Sequence, residues 1–247
     1  MKQKMFIFKA VICALLLVSA CTGNKYDGAI NGALGYLNAR GEKLTPVAIP
    51  VIENLKKKFS ISIETTAAQK RALQNLSAEQ RVFFRHMDSR FMVSREQVRQ
   101  LRGINHITAA ALYCDVYGLP PYFFRSLRKM ANDGNYALTH ALLALVIIRG
   151  QQCSYDRNIY QRELNTQIRQ LRQLMRATAP DSDLGIEAIL MLHLANRSPE
   201  RAGEPSFVNP EWIEKIIGSQ SPDGSWYQND HTTVIALWLL LELRSAD

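Results

Sequence analysis

The sequence predicts an all-α fold, read as a layered ring of helical hairpins in preference to a stacked helical solenoid or an ordinary bundle. Beyond the leading segment no stretch alternates apolar and polar residues with period two, the signature of a half-buried strand. Segments apolar nearly all round take turns with amphipathic ones, and short joints rich in Pro, Gly, Asn and Asp separate them. Helices apolar on every side belong in an interior, whereas those with one apolar stripe belong outside. Short joints make each outer helix run antiparallel to its inner neighbour, so the inner helices all point one way.

Taken in order, residues 26–39 (YDGAINGALGYLNA) read as a first inner helix, weakened by Gly28, Gly32 and Gly35, with 47–59 as its outer partner. Ser60-Ile61-Ser62-Ile63 reads as a short extended piece or a loop, and 78–87 and 95–101 as shorter basic helices. Inner segments follow at 104–117 (INHITAAALYCDVY), 135–149 (NYALTHALLALVIIR), 183–196 (DLGIEAILMLHLAN) and 231–243 (HTTVIALWLLLEL). Amphipathic segments at 120–131, 155–178 and 209–220 lie between them, punctuated by Leu119-Pro120-Pro121, Asn132-Asp133-Gly134 and Pro180-Asp181. That makes four or five hairpins.

The chain has 247 residues, 47% of them hydrophobic, enough for one large domain with a continuous core. Residues 1–20 read as a cleaved leader: Lys2 and Lys4, then an apolar run from Ala10 to Val18, too short to span a bilayer, then small residues. Residues 21–103 form an N-terminal helical part or irregular extension, and 104–247 the regular hairpins. The formal net charge is +8, of which Lys2, Lys4 and Lys9 of the leader carry three. Arg81, Arg85, Arg90, Arg95, Arg99 and Arg102 concentrate much of the rest. For an exported chain this basic stretch suits anionic lipid headgroups or a solvated helix face, and nucleic acid is not an expected partner.

Val18-Ser19-Ala20-Cys21 resembles the lipobox of bacterial lipoproteins. The resemblance implies acylation (palmitate-type chains) at Cys21, a membrane partner through that anchor, and a body in the cell envelope. Thr22, where an aspartate would retain the protein, points to the outer membrane. Cys114 and Cys153 then remain in an oxidising compartment, either as a disulfide or as two buried thiols.

Gln220-Ser221-Pro222-Asp223-Gly224-Ser225-Trp226 matches the Q-x3-G-x-W half of the QW motif, with Ile216 at its aliphatic position and Lys215 in place of its aromatic one. This resembles the α/α-toroid proteins, terpenoid cyclases and protein prenyltransferase β subunits among them. The resemblance covers 212–243 closely and implies a toroid, here with fewer than the family's six hairpins. The family's D-x-D-D and D-D-x-x-D acids and the thioester motif of complement-like relatives are missing, so terpene chemistry is not carried over.

Aligning the inner segments on their apolar cores brings His106, His140, Glu187 and His231 to one mouth of the ring, with Asp230 beside them. Converging imidazoles and carboxylates suit acid–base catalysis, with Glu187 and His140 as the catalytic pair, or a metal such as zinc on His106, His140 and His231. Helix N-termini at that mouth would favour neutral imidazole. Each His could equally cap its own helix, and no H-x-x-x-H or C-x-x-C spacing fixes a metal. Tyr136 and Trp226 supply aromatic surface for a ligand alongside His106 and Asp230, or simply core packing. His193 and His86 fall outside this layer. Three functions follow: a lipid-anchored binding or scaffold module, a metal- or acid/base-dependent hydrolase or lyase, or a purely structural envelope component whose ring mouth is plugged by its own side chains.

Overall fold

The computed structural model describes residues 24–45, 48–64, 66, 77–86, 90–151, 153–197 and 204–246. The leader, Cys21 and the side chain of His86 lie outside the described residues. Those described form helices and no strand: α1 (Asp27–Arg40), α2 (Ala48–Phe59), α3 (Ala78–Arg81), α4 (Arg95–Gln100), α5 (Gly103–Leu112), α6 (Cys114–Tyr117), α7 (Phe123–Asn132), α8 (Asn135–Gly150), α9 (Arg157–Leu174), α10 (Asp183–Asn196), α11 (Pro210–Gly218) and α12 (Asp230–Arg244). A short 3-10 turn, Val82–His86, continues α3. None is long and apolar enough to cross a membrane.

The apolar segments are the interior. Every residue of α10 from Gly185 to Ala195 is buried, as is nearly all of α12 from Asp230 to Glu242. The amphipathic helices bury one stripe each, Phe123, Leu127 and Met130 on α7 and Tyr160, Leu164, Ile168 and Leu171 on α9. That spacing of three and four residues is what one helix face offers.

Side-chain bonds at both ends set the directions. Thr139 Oγ1 meets Glu187 Oε1 and His231 meets Asp183 near the starts of α8, α10 and α12. Arg149 reaches the Leu194 carbonyl and Arg197 reaches Glu242 at their finishes. These three helices are therefore parallel. Helix α5 finishes at the same end, because a disulfide joins Cys114 to Cys153, with Cα atoms 5.5 Å apart. Helix α2 finishes there as well, with Lys58 on Glu242.

The first hairpin is the reverse of the expectation. Helix α1 runs antiparallel to α12, with Asp27 beside Arg244 at one end and Arg40 beside Asp230 at the other. It is α2 that points with the inner helices. The expected helix at 104–117 is broken at Tyr113, and Ser60 to Ile63 adopts no regular structure. The N-terminal part shares one continuous core with the rest, through residues such as Ile30, Leu37, Ile52 and Leu55.

The Gln220–Trp226 joint locks α1 onto this core. Gln220 Nε2 donates to the carbonyls of Ala29 and Gly224, each at 2.9 Å. Trp226 is fully buried, and its indole N–H donates to the Ile216 carbonyl at 2.7 Å.

Candidate functional site

The parallel starts of α8, α10 and α12 build a polar mouth. Helix α10 opens with Ser182, whose hydroxyl accepts from the Gly185 amide, and α12 with Asn229, whose side chain accepts from the amides of His231 and Thr232. These caps satisfy N–H groups that a helix start leaves unpaired. They also fix where the first-turn side chains point. Asp183 and Glu187, one turn apart on α10, therefore face the same side.

Asp183 is the hub. Its Oδ1 lies 3.1 Å from His231 Nδ1 and accepts from the Thr232 hydroxyl at 2.6 Å, while Oδ2 accepts from the Tyr136 hydroxyl at 2.6 Å. The His231 bond, with the two hydroxyls behind it, holds the Asp183 carboxyl well below the usual carboxylate range. The same bond raises the His231 pKa above its ordinary 6.5, against the opposing effect of burial. Tyr136 is pushed up to about 12, first by burial and then by its bond to Asp183.

Glu187 forms the floor. It is buried and takes a hydrogen bond of 2.5 Å from Thr139, while His140 Nε2 stands 3.7 Å away, close enough for ion pairing but not for a hydrogen bond. Burial lowers the His140 pKa; Glu187 opposes that shift and His231 adds to it. His140 Nδ1 is buried with no hydrogen-bond partner. Burial, rather than the helix starts, thus lowers the His140 pKa, and at His231 the carboxylate contact outweighs burial in the opposite direction.

Four of the expected residues, Tyr136, His140, Glu187 and His231, do come together here. Three do not. His106 turns to the Val98 carbonyl and the Tyr122 hydroxyl, at 3.2 and 3.3 Å. Asp230 is buried and clamps α1, accepting from Tyr36 and Arg40 through Oδ1 and from the Thr45 amide through Oδ2. Trp226 is core. The three imidazoles expected around a metal therefore do not meet. Among the described residues no group of three His, Cys, Asp or Glu side chains is arranged to hold a metal ion. Asp183 and Thr232 were not anticipated as site residues, although an acid one turn before Glu187 on an inner helix was a readable signal.

Chemically, the mouth offers two imidazole–carboxylate pairs side by side, with the His140 pKa lowered and the His231 pKa raised. His231 is oriented through Nδ1, which leaves Nε2 for a ligand. No family model, curated protein or solved structure matches this chain.

Proposed function

We propose that this chain is a lipid-anchored protein of the bacterial envelope whose helical body, an α/α-toroid-like ring, binds a polar ligand at the mouth formed by α8, α10 and α12. The convergence of Tyr136, His140, Asp183, Glu187 and His231 at three parallel helix starts carries this reading. The alternation of buried inner helices with half-buried outer ones supports the ring. The Cys114–Cys153 disulfide suits an oxidising compartment, in keeping with a lipobox at Cys21. His231 Nε2, carrying its proton below the raised pKa, favours a neutral polar ligand that presents a hydrogen-bond acceptor, since the Asp183 and Glu187 carboxylates disfavour an anion.

The anchor and the mouth have separate tests. Cys21→Ser abolishes acylation and releases the body from membranes; undiminished membrane retention refutes the anchor. For the mouth, native mass spectrometry of the full chain, isolated in mild detergent from a bacterial envelope, is expected to show an added mass that an Asp183→Asn, Glu187→Gln variant loses. Identical bare masses for the two proteins refute binding there.

One observation favours a second reading, acid–base catalysis. The Asp183–His231 contact resembles the orienting carboxylate and imidazole of a general base. In that case His231 Nε2 takes and returns the proton while neutral His140 stands beside it. Hydrolysis of p-nitrophenyl acetate by the protein, lost in His231→Gln, would mark a reactive imidazole; a rate equal to that of free imidazole would not.

A further inference from the structure

A groove of about 100 Å³ that none of the mouth residues lines runs over α5, between α4 and the start of α7. Arg95 and Arg99, one turn apart on α4, line it together with His106, Tyr113, Tyr117 and Tyr122, and no lining residue is acidic. The nearest acid on α5–α6, Asp115, is occupied by Arg85 at 2.5 Å.

Tyr117, Tyr122 and His106 give the groove partly exposed ring surface, whereas Tyr113 is buried, with the Arg85 guanidinium 4.8 Å from its ring centroid. Tyr113 and Tyr117 lie nearly parallel, with centroids 6.1 Å apart, and both hydroxyls are turned away to the carbonyls of Val82 and Val93. His106 and Tyr122 form a second near-parallel pair, also 6.1 Å apart. The Val98 carbonyl can only accept, so His106 Nδ1 carries a proton and Nε2 faces the Tyr122 hydroxyl. That pairing holds the ring in place.

The cations are under-used. Arg95 donates only one long hydrogen bond, 3.3 Å to the Tyr117 carbonyl, leaving most of its five N–H groups for another partner. Arg99 has no side-chain partner among the described residues. Two guanidiniums on successive turns stand about 5–6 Å apart at their Cβ atoms and can converge on one oxyanion. Guanidinium groups also stack on aromatic faces, so rings and cations favour the same kind of occupant.

We propose that this groove binds a small flat organic anion, a planar apolar body whose single oxyanion is held by Arg95 and Arg99. The oxyanion is a carboxylate or a phosphate ester, and two probes separate the sources.

Calorimetric titration of the full chain in non-ionic detergent with benzoate, phenyl phosphate and neutral benzamide tests the proposal. At least one anion is expected to bind, tenfold or more tightly than benzamide, and the tighter of the two identifies the oxyanion. Arg99→Gln should weaken it about tenfold, and the Arg95→Gln, Arg99→Gln double variant about a hundredfold. Both side chains are exposed, so the thermal unfolding of these variants should match the parent. Benzamide equalling the anions, an unchanged affinity in the double variant, or no saturation by either anion at about 10 mM each overturns the proposal.

Discussion

Asp183 Oδ1 and His231 Nδ1 lie 3.1 Å apart across the starts of two parallel helices, joining residues separated by 48 positions. The contact matters beyond its own strength because it orients an imidazole through Nδ1 and leaves the other nitrogen uncommitted. Thr232 and Tyr136 hydroxyls steady the carboxylate from two further directions. Three inner helices thus meet at one side chain.

Asp183→Asn is therefore expected to bring the His231 pKa back toward 6.5 or below, since the hydrogen bond to a charged carboxylate is the main cause of its rise. The pair's effect on stability has a defined window. The Asp183 share is present above its ordinary 3.8 and fades as pH falls toward its depressed folded value. The His231 share is present below 6.5 and fades as pH rises through its raised folded value. The full contribution lies between those two ordinary values. Both side chains are partly exposed, so the loss in Asp183→Asn is about 1 kcal/mol at about pH 5. Imidazole NMR titration and urea denaturation check the two halves of this prediction.

His193 makes the opposite demand. It is buried near the finish of α10, its Nε2 without a partner, and burial pushes its pKa down to about 4, although Glu242 pulls the other way and Arg197 and Lys58 add to the depression. The unfolded chain takes up a proton near the ordinary 6.5 that the folded chain refuses until about 4. Stability therefore falls as pH drops through that interval, on the order of 3 kcal/mol for the whole depression, and levels off below it. His193→Gln should flatten most of that fall when urea midpoints are compared across the interval.

Helix periodicity was legible because it depends on neighbours in sequence. The segment 183–196 is uniformly apolar and is buried on all sides, and its start and finish in α10 are those expected. Features that local sequence does not encode depend on distant partners. Tyr113 interrupts an otherwise continuous helical pattern, and its hydroxyl is held by the Val82 carbonyl, 31 positions away. The reversal of α1 and α2 is set by pairs such as Arg40 with Asp230, 190 positions apart. His106 was aligned with His140 on apolar spacing alone, which fixes depth along a helix but not which neighbour the side chain finds. Within the mouth, His140, Glu187 and His231 are legible because parallel helices preserve register; Asp183 is not, because a first-turn acid also reads as an ordinary helix-start residue.

Removing the disulfide with Cys114→Ser and Cys153→Ser should lower stability by up to about 4 kcal/mol, the loop-closure cost for a closed loop of this size. The two cysteines are 39 positions apart and tie α5 to the finish of α8. Urea denaturation of parent and variant measures the loss. Thiol titration of the unfolded, unreduced parent should find neither cysteine free. A parent as stable under reducing as under oxidising conditions would contradict the bridge's role.

Gly224 offers the sharpest test of the joint that carries the Q-x3-G-x-W pattern. Its φ of 87° lies in the left-handed region that favours glycine, and a Cβ placed on it would stand 2.0 Å from the Gly32 carbonyl oxygen. Backbone occupies that space, so a rotamer change cannot relieve the contact, and α1 must move away. Moving α1 would also strip Gln220 of its bond to the Ala29 carbonyl and loosen the Asp230 clamp at the far end of the helix. Gly224→Ala is therefore expected to cost about 3 kcal/mol or more, well above the roughly 1 kcal/mol of an ordinary strained turn position. Hydrogen exchange should speed up in α1 first while α8 and α10 stay protected. Uniform loss of protection across all three helices would show instead that α1 is not a separable layer over the core.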